Sequence, residues 1–375
     1  MTSNTRTGIP TTTAGAIVSG DLLSIVVVHY NIPREFPRTL YSLSPAFQQG
    51  IEPDEYEVIV VDNGSAKPPS LKAAKKLGLD VHLIEVDDPL TSPARAINIG
   101  LNASCGRHVG VMIDGARLAS PGLLSTARAA LRFDERAVVG SRGRYLGPKP
   151  QRDSMLDGYT RKVEDELLES IDWKHNGYDL FKISVFDESS GPHWFRPVSE
   201  SNSIFMSRQL WGELDGYSEL FDEPGGGYVN LDTWRRACLL PDVTPILLLG
   251  EATFHQLHGG VATNAPESET ARMRADYAEI RGEPFSVPPV RLRYWGTMDK
   301  RPPLKELGLT RKEHRSIAAA EQRRIERTST SLRARTRRFV RGPLRTRRRQ
   351  AVIRTKRVIL TIPGVRRVQR VLRRR

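Results

Sequence analysis

Apolar segments and helical segments alternate along the first 260 residues. Short, continuously apolar runs such as IVVV and VIVV are typical of strands covered on both faces of a parallel sheet. The pattern predicts strands at 24–30, 57–62, 81–86, 108–114, 137–141, 202–206 and 245–249. It predicts helices near 36–48, 70–77, 92–103, 121–132 and 160–172, with two more beginning near 207 and 230. Strands that alternate with helices predict an α/β fold with a mixed, mostly parallel central sheet.

Polar, turn-forming residues follow the first two strands. The first strand stops at His29, Tyr30 and Asn31, and the second stops at Asp62, Asn63 and Gly64. In open α/β sheets, ligands bind outside the carboxyl ends of the strands. A carboxylate there can accept hydrogen bonds from a nucleobase or a ribose. The same residues also suit a simple turn and helix cap, and the motif alone leaves both interpretations open.

A second acid lies at the tip of an apolar strand. The segment VGVMIDGAR places Asp114 directly after buried positions and directly before Gly115. Such a carboxylate can bind a divalent metal, because Mg²⁺ and Mn²⁺ prefer oxygen ligands and often bridge phosphates. It can also contact a sugar or a ribose, or do no more than end the strand in a turn.

Two later segments carry further candidate chemistry. The triple-glycine loop 225–227 precedes a helix that opens at Asn230 or Asp232, and an Asp there is either a helix cap or a general base. His255 and His258 follow a strand and could offer imidazole to a metal or a diphosphate. Two histidines on a surface loop are the alternative.

Taken in order, these motifs resemble the inverting, family 2 glycosyltransferases of the GT-A fold. The resemblance covers about residues 22–260 and rests on IVVVHYN, VIVVDNGS, ARAINIGLNAS with HVGVMIDGAR, SNSIFMSRQLWGELDGYSELFDE and GGGYVNLDTWRRA. It implies a GT-A-type nucleotide-diphospho-sugar transferase fold. It also implies transfer of a sugar from a nucleoside diphosphate to an acceptor hydroxyl.

The resemblance assigns expected roles at the donor site. Asp62 matches the acid that contacts the donor base or ribose, and Asp114 matches the leading Asp of the Asp-X-Asp metal motif. The second Asp of that motif is missing here, so either Asp114 and a late histidine hold Mg²⁺ or Mn²⁺, or Arg117 supplies part of the positive charge. The expected donor-binding residues are His29, Tyr30, Asn31, Asp62, Asn63, Asp114, Gly115 and Arg117. The expected metal ligands are Asp114, His255 and His258.

The resemblance also implies a catalytic base ahead of a helix. Aligning the basic end of that helix puts Asn230 on the base position, and an amide cannot abstract a proton. Asp232 is therefore the expected base, with Asp222 and Glu223 as alternatives. Acceptor contacts are expected from Glu200, Asn202 and Trp211.

The net charge of +14 is unevenly distributed. From Arg301 onward there are 26 Lys+Arg against 4 Asp+Glu, a net of +22, whereas the preceding 300 residues carry a net of −8. The final segment VRRVQRVLRRR is typical of a basic helix on an anionic membrane surface. Nucleic-acid binding and a solvated arm are the alternatives.

Composition also bounds the domain organisation and the compartment. We expect a disordered segment 1–21, a GT-A domain 22–265 divided at 141/142 into nucleotide-binding and acceptor-binding halves, a connecting segment 266–300 and a basic tail 301–375. Two cysteines make no disulfide framework, and neither a secretory leader nor an apolar run of about 20 residues is evident. These features predict a cytoplasmic protein, peripheral at the inner face of the cell membrane.

The expected activity is inverting transfer, by single displacement, to a glycan or a lipid-linked acceptor in cell-envelope polysaccharide biosynthesis. Two other functions remain open at this point. The missing Asp of the metal motif and Asn230 favour a nucleotide-sugar-binding module without turnover. The tail alone favours a nucleic-acid-associated protein.

Overall fold

The computed structural model describes residues 19–259 and 267–298. Ten strands lie in these residues and form one sheet. Their bounds are β1 Ser19–His29, β2 Tyr56–Asp62, β3 Val81–Glu85, β4 Gly106–Met112, β5 Arg117–Ala119, β6 Ala137–Leu146, β7 Ser184–Phe186, β8 Ser203–Ser207, β9 Thr244–His255 and β10 Arg293–Gly296. The sequence pattern predicted seven of these strands and missed the short β5, β7 and β10.

Nine α-helices connect the strands in the described part of the chain. Their bounds are α1 Phe36–Ser42, α2 Lys72–Lys76, α3 Ala94–Ala103, α4 Leu123–Phe133, α5 Gln151–Leu156, α6 Arg161–Glu169, α7 Arg208–Leu214, α8 Val229–Cys238 and α9 Glu267–Arg281. Short 3₁₀ segments cover Pro53–Glu55, Gly177–Ile183 and Pro224–Gly226. Among these residues, no helix is both long enough and apolar enough to cross a bilayer.

The sheet order is β10-β9-β6-β8-β4-β1-β2-β3, with β5 paired to β9 and β7 paired to β6. The strands β4, β1, β2 and β3 run parallel, as do β6, β9 and β10. Strand β8 runs antiparallel between β4 and β6 and joins the two groups. This mixed, mostly parallel sheet with flanking helices confirms the predicted fold class.

Helices cover both faces of the sheet, as the continuously apolar strands require. Alternate residues of β1 face opposite sides, so Ile25 and Val27 join one core and Val26 and Val28 join the other. The first core also takes in apolar residues of α1, α2 and α4, and the second those of α3, α7 and α8. A third cluster, around Trp194, packs the 145–200 segment against β9.

Asp232 connects α8 to α9. Its carboxylate is fully buried and accepts from Arg236 at 2.7 Å and from Arg281 of α9 at 2.7 Å through both oxygens. The structure therefore does not support Asp232 as the catalytic base. Both carboxylate oxygens are occupied by guanidinium donors, and burial keeps the group away from an acceptor sugar. The acid at this helix start stabilises the packing of two helices.

Replacing Asp232 by Asn should destabilise the fold without removing a catalytic group. Two partly buried guanidinium groups would lose their shared counter-ion, so we expect the free energy of unfolding to fall by about 2–4 kcal/mol in a urea titration. The control is Glu213→Gln, which breaks an exposed pair with Arg136 and should leave the midpoint nearly unchanged. An Asp232→Asn protein with full stability and no turnover would instead restore Asp232 as the base.

Candidate active site

The strand order brings the ends of four strands to one edge of the sheet. His29 pairs with Asp62 at the ends of β1 and β2, and β4 ends beside β1 on the other side. Strand β8 runs in the opposite direction and begins at this same edge, because Met112 lies opposite Ser203. The polar residues that the sequence places after each strand are therefore gathered along one line, from Asp62 through Asp114 to Asn202.

At one end of this line, Asp62 is a buried acid with three partners. Its carboxylate contacts His29 Nδ1 at 2.7 Å and accepts from Ser65 Oγ at 2.6 Å and from the Ser65 backbone N–H at 3.2 Å. Asp62 is 2% exposed, whereas Tyr30 is 57% exposed. The acid thus shapes the turn that begins at Asn63, and the aromatic ring of Tyr30 is the group offered to solvent.

Gly64 makes this turn possible. Its φ of +80° is a conformation that favours glycine, and a Cβ at this position would lie 2.5 Å from the ring of Pro89. The close approach joins the turn to loop 89–93, where Asn63 Nδ2 also donates to Leu90 O at 2.8 Å.

The triple-glycine loop contacts the same loop 89–93. Gly225 N–H donates to Thr91 O at 3.2 Å, and Thr91 Oγ1 donates to Asp222 O at 2.5 Å. Loop 89–93 therefore contacts both the turn after Asp62 and the glycine loop. These contacts bring the two segments to the same part of the molecule.

Asp114 lies at the middle of the line together with both late histidines. Its Oδ2 is 2.8 Å from His255 Nε2 and 3.2 Å from His258 Nε2, and the two Nε2 atoms are 2.9 Å apart. Its other oxygen, Oδ1, accepts from the Ala116 backbone N–H at 2.8 Å and fixes the turn. The structure thus brings together the three residues that were predicted as metal ligands.

The electrostatics of this cluster suit a cation. Burial, together with the nearby Arg117, lowers the pKa of His255 to about 4. Burial would also lower the pKa of His258, but Asp114 outweighs that effect and raises it. Burial alone would raise the pKa of Asp114, yet the two histidines hold it well below its usual value. An ionised carboxylate and a neutral imidazole are the forms that bind metal.

The donor set fits a divalent metal in its chemistry. Three ligand atoms, one from each residue, lie within 4.8 Å of one another. Two imidazoles and one carboxylate suit a first-row transition ion such as Mn²⁺ better than Mg²⁺, which favours oxygen ligands. His255 Nδ1 has no hydrogen-bond partner among the described residues.

Arg117 lies beside this cluster and has unused hydrogen-bond donors. Strand pairing sets it opposite His255, and its Nε is 3.9 Å from Asp114 Oδ2. The side chain is only 7% exposed, yet its Nε and Nη1 atoms have no hydrogen-bond partner within the described segments. A buried guanidinium with unused donors is well suited to an anionic ligand such as a diphosphate.

The two alternative base candidates, Asp222 and Glu223, lie just before the triple-glycine loop. Glu223 pairs with Arg272 at 2.6 Å, and Asp222 is exposed. Neither has a described contact with the Asp114 cluster, so the structure favours neither of them as the base.

A second group of polar residues ends the line beyond Asp114. The Ile113 N–H donates to Asn202 O at 3.4 Å, which sets Asn202 beside the residue that precedes Asp114. Asn230 Nδ2 donates to Glu200 Oε2 at 2.8 Å and to Asn202 Oδ1 at 3.4 Å. The predicted acceptor residues Glu200 and Asn202 therefore share one polar cluster with the amide at the expected base position.

Asp187 belongs to this cluster and was missed by the sequence analysis. It follows β7, is 4% exposed and accepts from Ser190 N–H at 2.8 Å and from Asn202 Nδ2 at 3.4 Å. The sequence around Asp187 shows no strand or helix pattern, so only the observed fold shows that Asp187 meets Asn202.

The prediction that Trp211 contacts the acceptor is not supported. Trp211 is 4% exposed and packs in the core beside Tyr217, and its indole N–H donates to Val109 O at 2.9 Å. The ring faces the body of the fold, since the apolar side of α7 has to cover β4.

Comparisons with known proteins show what this chain is similar to. No curated protein matches the sequence. Among solved structures, S. aureus TarS 1–349 in complex with UDP-GlcNAc matches with a TM-score of 0.46 and 16% identity, over 71% of this chain and 68% of that chain. The mannosyltransferase PcManGT from Pyrobaculum calidifontis, in complex with GDP-Man and Mn²⁺, matches with a TM-score of 0.38 and 16% identity, over 68% and 61%.

A longer TarS structure matches with a TM-score of 0.45 and 16% identity. The match covers 71% of this chain but only 40% of the length of that TarS chain. The sequence comparison gives the family: residues 24–198 match the model of glycosyl transferase family 2. This part of the chain is therefore similar to a family 2 glycosyl transferase domain, as the resemblance implied.

Proposed function

We propose that this enzyme transfers a sugar from a nucleoside diphosphate to an acceptor hydroxyl by a single, inverting displacement. The observation that carries the proposal is the order of groups along one sheet edge: Asp62, then Asp114 with its histidines and Arg117, then Glu200 with Asn202. That order matches the order of nucleoside, diphosphate and acceptor in a bound donor–acceptor pair.

The nucleoside is proposed to lie over the ends of β1 and β2. Tyr30 offers an exposed ring for stacking on a base, and Asn31 and Asn63 supply polar groups beside it. Asp62 takes part through the hydrogen bonds by which it shapes this surface, and its Oδ2 can accept one more from the ligand.

The diphosphate is proposed to lie at Asp114, Gly115 and Arg117. Negative charge develops on the diphosphate as the sugar leaves, so cationic groups there lower the barrier. Arg117 can donate to the phosphate oxygens through its unused Nε and Nη1. A divalent ion held by Asp114, His255 and His258 would add positive charge when bound.

The acceptor is proposed to be a glycan or a lipid-linked glycan that enters beside Glu200 and Asn202. The basic tail 301–375 lies outside the described residues and is proposed to hold the enzyme at an anionic membrane surface. This location at the inner face of the membrane suits an enzyme of cell-envelope polysaccharide biosynthesis.

A donor screen tests the proposed function. The wild-type protein is heated with UDP-, GDP- or dTDP-sugars, with and without Mn²⁺, and release of the nucleoside diphosphate is then measured for the sugar that raises the melting temperature most. We expect one base to be preferred and turnover to fall by at least about 100-fold in Asp114→Asn, because the divalent ion proposed to offset the charge of the diphosphate would lose its carboxylate ligand. No stabilisation and no release with any donor would overturn the proposal.

Metal binding gives a separate prediction. By titration calorimetry we expect wild type to bind Mn²⁺ more tightly than Mg²⁺, and His258→Ala to weaken Mn²⁺ binding at least about tenfold, because imidazole ligands favour transition ions. The control is His175→Ala, which removes an exposed histidine that pairs with Asp172. Equal Mn²⁺ affinity in the His258 and His175 variants would exclude the site.

Membrane attachment by the tail is tested by vesicle pelleting. The full chain should pellet with vesicles that contain anionic phosphatidylglycerol at 50 mM salt and much less at 500 mM, since screening weakens surface electrostatics. A chain that ends at residue 300 should stay in solution, and neutral phosphatidylcholine vesicles serve as the control. Preferential pelleting with double-stranded DNA would favour a nucleic-acid role for the tail.

A further inference from the structure

The amide at the expected base position holds a carboxylate from another part of the chain. Asn230 Nδ2 donates to Glu200 Oε2 at 2.8 Å, although the two residues are 30 positions apart. We propose that Glu200 is the general base of the transfer and that Asn230 is its positioning residue. This inference rests on the proposed function, and it moves the base from α8 to the segment before β8.

Strand pairing places Glu200 beside the metal cluster. The bond from Ile113 N–H to Asn202 O sets the start of β8 against the end of β4. Asp114 comes one residue after Ile113, and Glu200 comes two residues before Asn202, so both lie beyond the same pair of strand ends. Paired strands are about 4.8 Å apart. Glu200 and Asp114 therefore follow neighbouring strand ends at the same edge of the sheet.

Glu200 is also the accessible acid of its cluster. It is half-buried, whereas Asp187 is 4% exposed and Asn230 is 5% exposed. Asp187 already accepts from Ser189 Oγ at 2.9 Å and from Ser190 N–H at 2.8 Å. Asp187 is thus occupied by hydrogen bonds within its own loop. Glu200, in contrast, is partly exposed, so an acceptor hydroxyl can reach its carboxylate.

The surroundings of Glu200 suit a proton acceptor. Burial raises the pKa of its carboxyl, and the negative charge of Asp187 raises it further, while Asn230 and Arg117 act in the opposite direction. A raised pKa makes a carboxylate a better base at neutral pH. The geometry carries the assignment, and this electrostatic setting is consistent with it.

The proposed step balances as a single displacement. The acceptor oxygen forms a bond to the anomeric carbon while the bond from that carbon to the diphosphate oxygen breaks. The diphosphate leaves with the electron pair, and the acceptor proton moves to the Glu200 carboxylate, which later releases it to water.

The test uses the full chain and hydrolysis of the donor that stabilises it most, with water as the acceptor. Glu200→Gln should lower kcat by about 100-fold or more and leave both the donor-induced melting shift and the Mn²⁺ affinity unchanged. The amide can still accept from Asn230, so the variant should remain folded. Glu219→Gln, which changes an exposed glutamate paired with Arg95, is the matched control and should keep wild-type activity.

A second variant separates catalysis from structure. Adding Asn230→Asp to Glu200→Gln returns a carboxylate to the place where the family has its base, and we expect it to recover at least about tenfold of the lost kcat. The wild-type pH profile should lose activity as pH falls through the pKa of Glu200, and Glu200→Gln should lack this acid limb.

The results distinguish a failure of the proposed function from a failure of the role proposed for Glu200. Wild type without donor binding or hydrolysis would overturn the proposed function itself. An active wild type together with a Glu200→Gln variant within about threefold of it would overturn the role of Glu200 alone. A Glu200→Gln variant that loses donor binding along with kcat would also overturn it, since a base acts on the chemical step.

Discussion

The antiparallel pairing of β8 with β4 is the contact on which the candidate site depends. It sets Met112 opposite Ser203 and joins Ile113 to Asn202, so the residues that flank β8 meet the residues that follow β4. A slip of one residue in this pairing would turn the side chains of β8 to the opposite face of the sheet. One short strand therefore sets the register between the residues proposed to bind the donor and those proposed to bind the acceptor.

This pairing also places the groups proposed to bind the diphosphate on one side and the proposed base on the other, as an in-line displacement requires. The guanidinium of Arg117 and the proposed metal ligands His255 and His258 lie on the side proposed for the leaving diphosphate. The proposed base Glu200 lies beyond them, and its contact with Asn230 orients one oxygen. Attack and departure occur on opposite faces of the anomeric carbon, so the base and the cations have to flank the sugar. The strand ends along one edge of the sheet carry the residues proposed for both sides of the sugar.

The sequence predicted the parts of this site that depend on local pattern. Apolar strands that end in polar residues predicted where Asp62 and Asp114 lie, and the sheet order then joined Asp114 to the late histidines. The general base was harder to predict from the sequence, because the structural role of Asp232 depends on Arg281, 49 residues away. The role proposed for the amide of Asn230 likewise depends on its hydrogen bond to Glu200. Ion pairs and hydrogen bonds between distant segments leave no periodicity in a sequence, so these roles required the fold.

Buried arginine explains how the irregular acceptor segment can still position a catalytic group. Arg142 of β6 is fully buried and donates to the backbone carbonyls of Ser190, Trp194 and Arg196 rather than to a carboxylate. Burial lowers the pKa of Arg142 to about 10, which is a cost to stability that a solvated residue would avoid. In return, these three carbonyls of a loop with no strand or helix of its own are fixed to the sheet. This loop runs directly into Glu200, so these contacts help to fix the position of the proposed base. A proton acceptor displaced by about 1 Å loses much of its effect.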